Sequence, residues 1–115
     1  MAINIKTTNV KLDPSLDDYI RRKIKSLGKF LGAADNVHIE LESDSKHRSG
    51  TIKYRAEITI TPKGSHKGHY ADGQGIDLYA AFDLCLPKVK DQLMKHKDKE
   101  ISERRKMGAR LKGNI

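Results

Sequence analysis

The chain has 115 residues, 33% of them charged and 37% apolar, with a formal net charge of +8. That is the length of one domain with a modest core and a wet, basic surface, too short for two domains and too apolar for a disordered chain. No apolar run approaches the roughly 18 residues of a membrane span, and "MAINIKTTNV" lacks a secretory apolar stretch; with a lone Cys85 that has no intrachain partner, these features point to the cytoplasm.

In chain order, "INIKTT" alternates Ile3, Ile5 and Thr7 against Asn4, Lys6 and Thr8, the period of a half-buried strand. "DPSLDDYIRRKIKSLGKFLG" follows as an amphipathic helix. Asp13 is its N-cap, Pro14 its first position, and Leu16, Tyr19, Ile20, Ile24, Leu27 and Leu31 its buried stripe, with Gly32 as the stop. "VHIELE" and "TIKYRAEITIT" alternate again, with Val37, Ile39 and Leu41, then Ile52, Tyr54, Ala56, Ile58 and Ile60, facing inward. The polar "SDSKHRSG" between them reads as a hairpin loop, and "PKGS" as the next turn. "HKGHYADG" has poor alternation and is the weakest strand. A long helix then starts near Asp77 with Leu78, Phe82, Cys85, Leu86, Val89 and Leu93 as its inner stripe.

The order β-α-β-β-β-α predicts an α+β two-layer sandwich: a four-stranded sheet with both helices on one face, strand 1 in parallel through a right-handed crossover and strands 2–4 as an antiparallel meander. Residues 1–105 make the single domain and 106–115 a basic, frayed tail.

Charge is uneven along this order. Residues 84–115 hold ten Lys/Arg against four Asp/Glu, and residues 1–83 thirteen against eleven. On the first helix Arg22, Lys25 and Lys29 lie opposite the apolar stripe. From Arg21 to Lys29 there are five basic residues, Lys23 among them, and no acid. On the second, Lys88, Lys95 and Lys99 fall on one side of the stripe, Lys90 and Lys97 on the other. If the helices pack side by side, these side chains merge into a positive ridge suited to phosphates. Pro87 interrupts the second helix. It removes a hydrogen bond to the Asp83 carbonyl at about 3 kcal/mol, and predicts either a bend there or a new helix start.

Other chemistries have little support. Acids and histidines are scattered without a shared-site spacing, so no enzyme is expected. Cys85 is on the core stripe. Gly73 and Gly75 in "ADGQGID" precede a helix but lack a phosphate-loop fingerprint. His66 and His69 in "HKGH" supply two metal ligands at most, so no metal or other cofactor is expected. The apolar helix faces are needed by the sheet, which leaves no membrane-binding surface.

"DLYAAFDLCLPKVKDQLMKHKDK" resembles the closing helix of the ribosome hibernation promoting factor and ribosome-associated inhibitor family, through Asp77, Tyr79, Ala80, Ala81, Asp83, Gln92, Leu93, Lys95, His96, Lys97, Asp98 and Lys99. The opening strand with "LDPSLDDYIRRKIKSLGKF" is similar to the family's first strand and helix. The resemblance covers roughly residues 2–100. It implies a translation inhibitor seated on the small ribosomal subunit, between head and body in the path of messenger and transfer RNA. Lys23, Lys88, Lys95, Lys97 and Lys99 would then contact ribosomal RNA phosphates, and the protein would be a monomer in solution. Ser26, Asp91 and Pro87 depart from the family pattern. The basic C-terminal end fits a short hibernation factor or the N-terminal part of a long one. A free-standing double-stranded RNA binder is the other reading of the same charge pattern.

Overall fold

The structure, a computed structural model, describes the backbone of residues 2–32, 35–44, 53–62 and 68–113; the side chains of Asp44, Lys53 and residues 97–113 lie outside the description. Ile52, the central part of the expected hairpin loop, most of the "PKGS" turn and His66 also fall outside it.

Strand β1 (Ala2–Thr8) leads into helix α1 (Pro14–Lys25). Strands β2 (Asn36–Asp44), β3 (Lys53–Thr61) and β4 (His69–Gly75) follow, and helix α2 (Leu78–Gly113) closes the chain. The sheet order is β1-β2-β3-β4. β1 pairs in parallel with β2 across the α1 crossover, and β2, β3 and β4 form the antiparallel meander. The α+β architecture expected from the pattern is the observed one, including the glycine-rich fourth strand.

Register explains why one face is dry. Val37, Ile39 and Leu41 align with Ile60, Ile58 and Ala56, and Ile58 with Ala71. With Leu16, Ile20, Ile24 and Leu27 from the α1 side and Ala81, Phe82, Cys85, Val89 and Leu93 from α2, they make one buried cluster. Because side chains alternate along each strand, Lys6, His38, Glu40, Glu42, Arg55, Glu57, Tyr70, Asp72 and Gln74 share the opposite, open face.

Both helix starts use the acids read from the sequence. The Asp13 carboxylate accepts from the Leu16 N–H at 2.8 Å, and that of Asp77 from the Ala80 N–H at 2.7 Å. α1 is shorter than its apolar stripe suggested. It ends at Lys25, where the Ser26 hydroxyl donates to the Lys23 carbonyl at 2.5 Å and the Ser26 N–H to Arg22. A 3₁₀ turn over Gly28–Phe30 then keeps Leu27 in the core. Hydroxyl and glycine together compete with the next α-turn, which period alone does not reveal.

α2 runs unbroken past Pro87, so no new helix starts there. Pro87 is exposed, on the outer side of the helix. α2 also presses closely onto β4. A Cβ added at Gly73 would lie 2.7 Å from the Ala81 carbonyl oxygen, and one at Gly75 2.8 Å from the Ala81 nitrogen. The two glycines of "ADGQGID" are therefore the contact surface for the helix backbone. Leu93 is the last buried residue among those described, yet the helix continues to Gly113.

Candidate nucleic-acid interface

β1, β2 and β4 point the same way, and α1 and α2 run back over one sheet face after β1 and β4, so the two helices lie side by side in the same direction. Near their N-terminal ends they are joined by Tyr19. Its ring meets Tyr79 edge-on at 5.0 Å and Phe82 at 6.2 Å, and its hydroxyl donates to the Asp83 carboxylate at 2.6 Å. That hydrogen bond to an anion, with some desolvation, holds the Tyr19 phenol above its ordinary pKa.

Acids gather at this end: Asp13 and Asp77 as caps, with Asp17, Asp18 and Asp83. Cations gather further along: Arg21, Arg22, Lys23, Lys25 and Lys29 after α1's first turns, Lys88, Lys90 and Lys95 on α2. α1 thereby complements its own dipole, with Asp17 in its first turn and Arg22, Lys23 and Lys25 in its last, and because the helices are parallel the basic stretches of both lie toward the same end of the sheet.

Arg22 and Lys25 are exposed on the outer side of α1, and Lys29 projects from the 3₁₀ turn with its ammonium 5.0 Å from the Phe30 ring centroid. Lys23 is exposed on the flank facing α2, its ammonium 5.4 Å from the Tyr19 ring centroid.

The lysines of α2 divide. At about 100° per residue, Lys90 shares the flank of Tyr79 and Asp83 that faces α1. Lys88 and Lys95 lie on the opposite flank, over the outer edge of β4. There the Lys88 ammonium donates to the Asp72 carbonyl at 2.8 Å. One turn on, the Gln92 amide accepts from the Tyr70 N–H at 3.2 Å and donates to the Tyr70 carbonyl at 2.7 Å. A further turn on, the His96 and His69 rings meet at 5.6 Å, and burial, then its neighbour's charge, lowers the His69 pKa. Lys95 forms an exposed i,i+4 pair with Asp91 at 3.0 Å. Leu84, Pro87 and Met94 make the crown between the two flanks.

The expected single ridge is thus two basic shoulders. One is the α1–α2 groove with Lys23 and Lys90, with Arg22 above it on the outer side of α1; the other is Lys88 and Lys95 along β4. Lys97 and Lys99 follow on α2, their side chains outside the described region. The edge-capping role of Lys88 and Gln92 was not read from the sequence. Its signal was the i,i+4 spacing of two polar residues beside a core stripe.

The open sheet face has the other sign. Glu40 stands directly opposite Glu57, and Glu57 opposite Asp72, like-charge pairings that cost stability unless neutralised. Arg55 does this by pairing with Glu42 at 3.2 Å, Asp72 at 3.0 Å and Glu57, and those anions raise its pKa further above an already high value. His38 lies 3.5 Å from Glu40. Among the described side chains, four acids thus face Lys6 and Arg55.

No group of three or more His, Cys, Asp or Glu suited to a metal occurs among the described residues. The thiol of Cys85 is wholly buried, donating toward the Ala56 carbonyl at 3.2 Å, and desolvation pushes its pKa up to about 11.

A sequence profile described as "Sigma 54 modulation protein / S30EA ribosomal protein" matches residues 3–101. The chain belongs to this family. The ribosome hibernation promoting factor of Klebsiella oxytoca is 31% identical over 99 residues, covering 86% of this chain and 96% of its own length. That of Escherichia coli (strain K12) is 28% identical with the same coverage. The ribosome hibernation promotion factor of Bacillus subtilis (strain 168) is 26% identical over 113 residues, 95% of this chain but 55% of the longer relative. In fold, the N-terminal domain of Thermus thermophilus Protein Y aligns at a TM-score of 0.68 and 23% identity, over 84% of this chain and 99% of its own. A ribosomal subunit interface protein from Coxiella burnetii aligns at 0.65 and 22%. Within this family fold, the closing helix carries the densest run of lysines in the chain.

Proposed function

We propose that this protein silences ribosomes by binding the small subunit through its helix side, in the path of messenger and transfer RNA. The carrying observation is the separation of charge across the sandwich. The helices present cations beyond their first turns, while the sheet face presents Glu40, Glu42, Glu57 and Asp72 around one arginine. Phosphate is attracted to the first surface and repelled by the second. The relatives named as hibernation factors supply the biological class.

Arg22, Lys23, Lys25, Lys29, Lys88, Lys90, Lys95, Lys97 and Lys99 are the contact set, with residues 1–105 as the binding domain. Lys95 would release its exposed pair with Asp91, a kind of contact that contributes about 0–1 kcal/mol, and Lys88 its hydrogen bond to the Asp72 carbonyl, in exchange for phosphate oxygens. The protein acts as a cytoplasmic monomer, without catalysis or a cofactor. It works by occupying a site.

In a sucrose gradient of cell lysate the protein should travel with small subunits and whole ribosomes at low salt and leave them at high salt. Adding it to a cell-free translation system should stop synthesis. Migration with free double-stranded RNA, with translation unaffected, would favour the RNA-binding module instead.

A further inference from the structure

We propose that Tyr79 is a stacking platform for one unpaired RNA base, so that the helix side grips at least one splayed nucleotide as well as phosphates. This deepens the reading of the helix side as the RNA-binding face and rests on it.

Tyr79 is 37% exposed at the mouth of the α1–α2 groove. Aromatic rings of a small domain are normally spent on the core, as Phe82 is in the next turn. The Tyr79 ring has an aromatic neighbour that restrains it. Tyr19 meets it at an interplanar angle of 68°, and Tyr19 is itself fixed by Phe82 and by its 2.6 Å hydrogen bond to Asp83. A ring ordered before binding loses little entropy when a base settles on it.

The charges around the ring separate a base from its phosphates. Arg22 and Lys23 stand on the α1 side, the Lys23 ammonium over the Tyr19 ring and Arg22 near enough to act on the Tyr19 phenol. Asp83 lies one helical turn after Tyr79. A carboxylate there repels phosphate, so the backbone is drawn to the two cations and the uncharged base is left facing the ring. Tyr70, the other well-exposed tyrosine, is unsuited to this, because Glu57 and Asp72 flank it on the acidic sheet face. A stacked base also distinguishes the partner. A regular duplex keeps its bases inside, so the target is RNA with an unstacked nucleotide, such as a loop or bulge.

Binding of Tyr79→Ala, Tyr79→Leu, Tyr79→Phe and Tyr79→Trp to purified small subunits, each over a range of salt, tests this. The Ala and Leu variants should bind about tenfold more weakly at every salt with the wild-type salt slope, since a stacked base is uncharged. Leu keeps apolar bulk against Tyr19, which separates loss of stacking from loss of packing. Phe and Trp should bind as wild type. The chain has no other tryptophan, so the Trp emission should be quenched on binding. If the Ala and Leu variants bind within twofold of wild type while lysine-to-glutamine changes on the helices weaken binding, stacking is refuted and the basic face stands. If those lysine changes also have no effect, the face itself is wrong, and this proposal falls with it.

Discussion

The Cys85 thiol lies against the Ala56 and Ala81 carbonyls with no solvent access, and it holds its proton up to about pH 11. A folded-state pKa above the unfolded value means that the folded chain binds this proton more tightly. The associated stability is complete below the unfolded pKa near 9 and is lost as pH rises from there through 11. Urea unfolding midpoints should therefore fall across that window in the wild type and fall less in Cys85→Ala. Labelling by a thiol reagent at neutral pH should proceed only at the rate of unfolding; fast labelling of the folded protein would contradict the burial. Single residues were legible where their chemistry is local. Asp13 and Asp77 were recognisable as caps because a short acid before an apolar stripe has one good use. Arg55 was not recognisable as the hub of three acids and a tyrosine, since Glu42 comes from β2 and Tyr70 and Asp72 from β4, and their meeting depends on register.

Gly73 and Gly75 set how closely α2 approaches β4. Gly73→Ala should destabilise the fold by about 1–3 kcal/mol, measured by urea unfolding, because its methyl group would meet helix backbone that has nowhere to move. Gly73, with Gly68 in "HKGHYADG", also explains the poor alternation of β4. Their lack of side chains spoils the alternation that normally announces a strand, and for Gly73 the reason is a helix several residues later. Pro87→Ala should work in the opposite direction. It restores the N–H that the Asp83 carbonyl lacks, so the unfolding free energy should rise by up to about 3 kcal/mol, with ribosome binding intact. Raised stability with lost binding would mean that the helix path beyond Pro87 matters for recognition. Helix existence was legible from period, whereas the early end of α1 was set by the Ser26 hydroxyl and Gly28.

For the molecule as a whole, composition indicated a basic protein but not where its acids go. Strand alternation already puts Glu40, Glu42 and Glu57 on the outer face; the register sets them against one another and adds Asp72, and only parallel helices bring both basic stretches to the other face. How far Lys88 lies from the α1 cations was equally hidden, because helical period gives angles on each helix but not the neighbour each flank faces. Arg55 is also a poor control for phosphate binding, since its removal leaves three acids unneutralised; Lys6, outside that network, is the better one. The salt dependence of binding to purified small subunits is the decisive measurement. Each phosphate neutralised contributes roughly 0.7–0.9 log unit of affinity per log unit of salt. Changing Lys88, Lys95 and Lys99 together to glutamine should flatten the slope by about two to three such units without unfolding the domain, and changing Arg22, Lys25 and Lys29 should do likewise, while Lys6→Gln leaves it near wild type. If both helix variants keep the wild-type slope and Lys6→Gln loses binding, RNA lies on the sheet and the helix side is not the interface.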